Sequence, residues 1–187
     1  DMATMFSFIF TDADVPPAAL EKISRRCVDT TYNRISVDGD TSPNDTVTVM
    51  ANGMSGVKIG RAERGKFETA LEAVARYLSM EIVRDGEGAT KLVHIEVDGA
   101  RSNADAEKAA RGIAHSQLVK TAIFGMDPNW GRIVSAAGVS GADFDPEKAS
   151  LSIDGVPVYD LGAPVAPKKK IMRRKDVYVV LNMGLGK

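Results

Sequence analysis

Apolar and polar positions at the start of the chain follow two spacings, one typical of strands and the other of helices. Met5–Phe10 is an apolar run that predicts a buried strand, and Thr46–Met50 alternates with period two. Between them, the Pro16–Pro17 pair can open a helix whose apolar positions include Ile23 and Cys27. The first part of the chain is therefore predicted to form a strand, a helix and a second strand.

The same alternation continues through the rest of the chain. An apolar face at helical spacing runs from Phe67 to Ile82. Farther on, Ser102 can cap a helix whose apolar face we expect to extend from Ala106 to Leu118. Additional strands are expected at Leu92–Val97, Leu151–Ile153 and Val177–Leu181. Because strands alternate with helices, the predicted fold class is α/β, with layers of sheet and helix and a parallel or mixed sheet.

Composition removes several classes of function. Of 187 residues, 44% are hydrophobic, and 24 basic residues nearly balance 25 acidic ones, so the overall charge gives no reason to expect nucleic acid or an anionic membrane as partner. The basic run Lys168–Lys175 is interpreted as a solvated insertion, with an anionic ligand as the alternative. Cys27 is the one cysteine, so no intrachain disulfide can form, no metal centre is expected, and a cytoplasmic location fits best.

Thr4 has the chemistry of a self-cleaving nucleophile. It follows the small residue Ala3 and precedes the first predicted strand, so its hydroxyl can attack the Ala3 carbonyl and give an ester that water cleaves. A newly exposed Thr4 α-amine, with a solution pKa of about 8, can then serve as the base for the same residue's hydroxyl. On spacing alone, an ordinary β-branched strand residue is the favoured interpretation of Thr4.

Four segments, in order, resemble motifs of the ornithine acetyltransferases, the bifunctional acetyltransferase family of arginine biosynthesis. They are Asp1–Met5, Asp38–Thr46, Gly86–Lys91 and Phe124–Arg132, and the similarity extends over nearly the whole chain. The resemblance implies the layered α/β fold of the self-cleaving ornithine acetyltransferases and aminopeptidases. It also implies that residues 1–3 are a remnant of a first chain, cut between Ala3 and Thr4, and that residues 4–187 are the catalytic region of the second chain. Two subdomains, divided between residues 85 and 120, are expected.

The resemblance also implies an activity and its site residues. Thr4 is expected to take acetyl from N2-acetylornithine, release ornithine, and pass the acetyl group to glutamate in a ping-pong reaction. Glu87 matches a family residue that contacts the amino-acid substrate, and its carboxylate suits an ornithine ammonium group. No cofactor is implied, and use of acetyl-coenzyme A as a further acetyl donor is left open.

The partners that the resemblance implies lie outside this chain. In the family, the first chain supplies a threonine–glycine oxyanion hole and a substrate-binding lysine, and the two chains assemble as an α2β2 heterotetramer. The family also continues past the stretch that matches Met183–Gly186 into a segment that binds substrate. We therefore expect a second chain truncated at its C-terminus and inactive by itself, without nucleic-acid or membrane partners.

Two other functions remain compatible with the residues. One is an aminopeptidase or amidase of the same fold, in which water instead of glutamate removes the acyl group. The other is a non-catalytic binding module.

Asn44 and Asp45 can orient the loop before the second strand, although Asx residues there often satisfy their own turn. Trp130 can line a pocket or fill the core.

Overall fold

The computed structural model describes residues 4–167 and 170–186, and the chain divides into two units between Glu87 and Gly88. Ala3, the other residues of the expected first-chain remnant, Lys168 and Lys169 lie outside the described residues. The helices and strands of the first unit are β1 (Phe6–Thr11), α1 (Pro17–Thr30), β2 (Thr46–Ala51) and α2 (Arg64–Arg84), with a 3-10 turn at Tyr32–Arg34. These elements confirm the order expected from the sequence.

The first unit is built on a parallel pair of strands. β1 pairs with β2 in a register that places Phe6 opposite Thr46. Ser7 and Ile9 of β1 are buried, and Ile9 belongs to a core that also contains residues of both helices. The alternate side chains of β1, those of Phe6, Phe8 and Phe10, are exposed. One face of the sheet is thus covered by α1 and α2, whereas the other carries apolar side chains toward solvent.

The direction of α2 determines which end of the first unit it reaches. Arg26 pairs with Glu68 and, four residues farther along both helices, Thr30 bonds to Glu72, so α1 and α2 run in the same direction. Because α1 connects the carboxyl end of β1 to the amino end of the parallel strand β2, it runs opposite to both strands. The carboxyl end of α2 therefore lies at the end of the unit where both strands begin.

The second unit contains a mixed sheet covered by helices. Its elements are β3 (Leu92–Asp98), α3 (Asn103–His115), α4 (Gln117–Phe124), α5 (Trp130–Gly138), β4 (Ser150–Ile153), β5 (Val156–Asp160), β6 (Ala163–Pro164) and β7 (Asp176–Asn182), with a 3-10 turn at Pro146–Lys148. The strand order is β3-β7-β4-β5-β6, with β3 parallel to β7 and the other neighbours antiparallel. Residues of α3, α4 and α5 share one core with β4, β5 and β7.

One helix expected from the sequence is divided in the structure. The Ala106–Leu118 face was predicted to be continuous, but α3 ends at His115 and α4 begins after Ser116. Ser116 has extended backbone angles, and its Oγ accepts a hydrogen bond from the Val119 N–H, so it caps a new helix. Leu118 consequently turns outward and is 62% exposed. Its predicted place on the buried face was wrong.

Both units combine helices with sheets, as the predicted α/β class requires. Among the helices of the described ranges, none is both long and apolar enough to cross a membrane.

Candidate active site at Thr4

Thr4 lies at the entrance to β1, two residues before the strand begins, and its side chain is exposed. The residue after it is tightly held. The Met5 N–H donates to Asp45 Oδ1 at 2.9 Å, and the Met5 carbonyl accepts from the Thr46 N–H at 2.8 Å. The Met5 side chain is buried in the core between the sheet and the helices. The structure therefore places the hydroxyl of Thr4 in reach of solvent while fixing the backbone directly behind it.

A buried polar contact anchors the same strand farther in. Ser7 Oγ and Tyr32 Oη lie 2.6 Å apart, and both residues are buried. Burial raises the pKa of the Tyr32 phenol, and the bond to Ser7 offsets part of that rise, so the phenol is protonated at neutral pH. The pattern of the sequence did not identify this pair, because the two residues are 25 positions apart. Ser7 did carry one hint, as a polar residue at an inward position of an apolar strand.

The loop before β2 contains both local and long-range contacts. Asp38 Oδ1 accepts from the Asp40 N–H at 2.8 Å, and the Asn44 carbonyl accepts from Thr46 Oγ1 at 2.9 Å. Those contacts belong to turns of the loop itself. Asp45 differs, because its carboxylate reaches Met5, 40 residues earlier in the sequence.

Glu87 lies in a turn three residues after the end of α2, and it is exposed. The following residue, Gly88, has φ +70°, a left-handed conformation that glycine adopts without strain. Because α2 ends where the strands begin, Glu87 lies at the same end of the first unit as Thr4. The direction of α2 thus puts Glu87 toward the end of the first unit that carries Thr4.

Most other candidate residues satisfy local structure. Asn129 Oδ1 caps α5 by accepting from the Arg132 N–H, and Asn129 Nδ2 donates to Asp127 Oδ2 at 3.0 Å. Trp130 stacks on Tyr159 with ring centroids 4.9 Å apart and packs against the core of the second unit. Core packing, one of its two interpretations, is therefore the role that its contacts support.

The contacts described for Cys27 and His94 are those of structural side chains. Burial raises the pKa of the Cys27 thiol, which disfavours the thiolate that a cysteine nucleophile requires. His94 stacks on Tyr178 at 4.5 Å and lies 3.2 Å from Asp176, a cluster that the sequence did not predict. Within residues 4–167 and 170–186, no group of three or more acidic, histidine or cysteine side chains is arranged to hold a metal ion.

The described part of the basic run is tied to the second unit. Met172 is fully buried, and its N–H donates to Asp154 Oδ2 at 2.7 Å. Lys91 Nζ donates to the carbonyls of Met172 and Arg174. Arg173 and Arg174 are exposed beside this anchor. The described part of the run is thus fixed to the second unit at its buried methionine.

Comparison with known proteins connects this site to one family. A profile described as the ArgJ family matches residues 1–187. The chain is 46% identical over 196 residues to the glutamate N-acetyltransferase of Methanocaldococcus jannaschii, covering 98% of this chain and 48% of that protein. It is also 46% identical over 194 residues to the arginine biosynthesis bifunctional protein ArgJ of Geobacter sulfurreducens, covering 100% and 49%. The chain thus spans about half the length of these curated relatives.

The chain is similar in fold to a solved structure. The crystal structure of the arginine biosynthesis bifunctional protein ArgJ from Bacillus halodurans matches with a TM-score of 0.92 and 36% identity. The match covers 98% of this chain and 90% of the solved chain, so the two chains are of similar length. This similarity confirms the predicted layered α/β fold.

Proposed function

This chain belongs to the ArgJ family, and on that premise we propose that it is the nucleophile-bearing part of an arginine-biosynthesis acetyltransferase. The proposed reaction moves acetyl from N2-acetylornithine to glutamate, giving ornithine and N-acetylglutamate. Thr4 carries the acetyl group between the two substrates. The observation that carries this proposal is the position of Thr4, whose exposed side chain follows the Ala3 junction and precedes a rigidly paired strand.

The first proposed step frees Thr4. Thr4 Oγ attacks the carbonyl carbon of Ala3, the Ala3–Thr4 C–N bond breaks, and an ester forms. The hydroxyl proton passes to the Thr4 nitrogen, which becomes a free α-amine. Water then hydrolyses the ester, which leaves a carboxylate on Ala3 and restores the Thr4 hydroxyl. The exposed position of Thr4 admits the water that this step consumes.

In the transfer, the freed α-amine accepts the proton of the Thr4 hydroxyl as Oγ attacks the acetyl carbonyl of N2-acetylornithine. The C–N bond to ornithine breaks, and its nitrogen takes up the proton. The α-amine of glutamate then attacks the acetyl ester, and Thr4 regains its hydroxyl proton. Both half-reactions pass through a tetrahedral oxyanion, and we assign its stabilisation to hydrogen-bond donors of a partner chain.

The proposed partner is a first chain equivalent to the remaining half of the curated relatives. Those relatives are about twice as long as this chain, whereas the solved chain from Bacillus halodurans has a similar length. That difference supports a protein that works as two polypeptides.

The open face of β1 supports the same partner. Phe6, Phe8 and Phe10 are 60%, 54% and 71% exposed, and the rings of Phe6 and Phe8 stack 6.4 Å apart. Parallel sheets are usually covered on both faces, and a two-stranded sheet has little stability by itself. We therefore propose that the first chain adds strands and covers this face. Phe8→Asp should then prevent co-purification of the two chains, whereas Tyr77→Asp, at a 63% exposed position on α2, should not. Equal co-purification of both variants would exclude this contact.

Glu87 is proposed to bind the charged end of the amino-acid substrate. Its carboxylate is exposed and lies at the same end of the unit as Thr4, and an ammonium group is its natural partner. Glu87→Gln should raise the KM for N2-acetylornithine more than it lowers kcat, because the contact is present before the chemical step. An unchanged KM would remove Glu87 from the substrate site.

Expression of the full-length protein tests the role of Thr4. N-terminal sequencing of the purified chains should find one that begins at Thr4. Thr4→Ala should leave a single uncut polypeptide without transfer activity, whereas Thr4→Ser should retain slow cleavage because it keeps a hydroxyl group. A Thr4→Ala variant that is cut and active would contradict the proposal.

A further inference from the structure

The hydrogen bonds of Met5 restrict the orientation of Thr4, the residue before it. A peptide unit is planar, and the unit that ends at the Met5 nitrogen also contains the Cα, C and O atoms of Thr4. The bond from the Met5 N–H to Asp45 Oδ1, 2.9 Å long, therefore fixes the plane on which the Thr4 Cα lies. Only two rotations, ψ and χ1 of Thr4, separate that plane from Oγ.

In a regular strand ladder, the acceptor at the position of this bond would be a backbone carbonyl and not the side chain of Asp45. The Met5 carbonyl accepts from the Thr46 N–H, as expected in a parallel pair. Continued regular pairing would direct the Met5 N–H to the Asn44 carbonyl, because a residue in a parallel ladder bonds to the two residues that flank its neighbour. The Asn44 carbonyl accepts from Thr46 Oγ1 instead, and the Asp45 carboxylate receives the Met5 N–H.

The Asp45 carboxylate thus takes the place of a backbone carbonyl and puts a charged acceptor at the end of the strand pair. A hydrogen bond from a backbone N–H to a carboxylate is shorter and stronger than one to a neutral carbonyl. Asp45 is half-buried, at the point where β2 begins, so its backbone is held by the strand that follows. The result is a rigid attachment of Met5, the residue that follows Thr4 and directly precedes β1.

We propose that Asp45 is a positioning residue, which determines where Thr4 Oγ lies in the folded unit by fixing the Thr4–Met5 peptide plane. This inference rests on the proposed role of Thr4 as nucleophile. The same plane is present before and after the chain is cut, so Asp45 acts in both self-cleavage and acetyl transfer. Since reactions of this kind depend on near-attack geometry, a displacement of about 1 Å can reduce the rate about 100-fold.

Three substitutions at Asp45 separate geometry from charge. Asp45→Ala removes the acceptor, Asp45→Asn keeps an acceptor oxygen without the charge, and Asp45→Glu keeps the charge but moves the oxygen by one methylene. Asp38→Ala is the matched control, because Asp38 Oδ1 accepts from the Asp40 N–H within the same loop and does not contact Met5. All variants are made in the full-length protein.

The rate of self-cleavage and the kcat and KM for N2-acetylornithine are then measured for each variant. Asp45→Ala and Asp45→Glu should lower the cleavage rate and kcat by about 10- to 100-fold with little change in KM, because substrate binding does not involve Asp45. Asp45→Asn should restore most of both rates, and Asp38→Ala should behave as the unmodified protein does. Normal rates in Asp45→Ala, or rates in Asp45→Asn as low as in Asp45→Ala, would overturn the proposal.

Hydrogen exchange of the Met5 amide separates this inference from the role of Thr4. Asp45→Ala and Asp45→Glu should expose that amide to faster exchange, whereas Asp45→Asn should protect it. This measurement needs no activity. It therefore tests whether Asp45 holds the peptide plane even when the wild-type protein is found uncut and unacetylated, the result that would exclude Thr4 as nucleophile. Asp45→Glu retains the charge but moves the carboxylate. If its Met5 amide exchanges at the wild-type rate, the proposal that Asp45 fixes the peptide plane is contradicted.

Discussion

The Ser7–Tyr32 contact allows the stability of the Thr4-bearing strand to be measured directly. The two oxygens lie 2.6 Å apart, and the residues are 5% and 4% exposed, so water cannot replace a lost partner. Tyr32→Phe keeps the ring but leaves the Ser7 hydroxyl buried without a partner, and Ser7→Ala leaves the phenol in the same state. Each single change should lower the free energy of unfolding by about 1–3 kcal/mol, the usual effect of leaving a buried polar group without its hydrogen bond.

The double variant gives the decisive comparison. When both polar groups are removed, neither remains unsatisfied, so the combined loss should be smaller than the sum of the two single losses by about 1 kcal/mol or more. Urea unfolding followed by circular dichroism measures the free energies, and hydrogen exchange of β1 peptides locates the effect. Tyr77→Phe is the control, because Tyr77 is 63% exposed and should change stability by less than about 0.5 kcal/mol. Additive losses in the double variant would refute the reasoning.

Two other predictions concern helix packing and a close backbone approach. Arg26 and Glu68 pair through two hydrogen bonds of 2.6 and 2.8 Å, and the bond to Arg26 holds the pKa of Glu68 below its usual value of 4.5. Since the folded state binds that proton more weakly, the pair stabilises the protein above about pH 4.5 and loses its effect as the pH falls through the folded pKa. Glu68→Gln should therefore reduce stability at pH 7 and progressively less as the pH falls through the folded pKa of Glu68, and a loss that does not change with pH would contradict this. Gly184 has φ +63°, and a Cβ there would overlap the Lys148 carbonyl. Gly141 has φ +78° but open space around it, so Gly184→Ala should destabilise the chain more than Gly141→Ala. Equal melting temperatures of the two variants would contradict this prediction.

Long periodic segments were predicted well because their patterns reflect burial directly. β1, α1, α2 and β3 follow from apolar positions that the structure places against a core. The division of α3 from α4 was not predicted, because the apolar positions on both sides of Ser116 continue at helical spacing and a single side-chain cap starts the second helix. Local hydrogen bonding there outweighed the pattern.

The hairpin between β4 and β5 was missed although its signal is present in the sequence. Asp154 and Gly155 have φ values of +51° and +71°, the left-handed pair that a two-residue hairpin turn requires. Asp-Gly between two apolar stretches is a strong indication of such a turn. The carboxylate of Asp154 also accepts from the N–H groups of Met172 and Tyr178. Those long-range contacts explain an aspartate at this position but could not be inferred from spacing.

The site divides in a similar way. Thr4, Glu87 and Asp45 were candidates from the sequence, the first two by resemblance to a family and the third as one of two Asx residues in a loop. The sequence did not indicate that Asp45 contacts Met5, because the parallel register of β1 and β2 brings the two together across 40 residues. Residues that act through a shared strand end become visible only when the pairing is known.

Trapping the acetylated protein tests the central claim most directly. The assembled full-length protein is mixed with N2-acetylornithine without glutamate, and the chains are analysed by mass spectrometry with peptide mapping. The account predicts that the chain beginning at Thr4 gains the mass of one acetyl group on Thr4, that the group persists in water, and that glutamate removes it as N-acetylglutamate. Rapid loss to water without glutamate would indicate a hydrolase. Acetyl transfer to glutamate with Thr4 never acetylated would contradict the account.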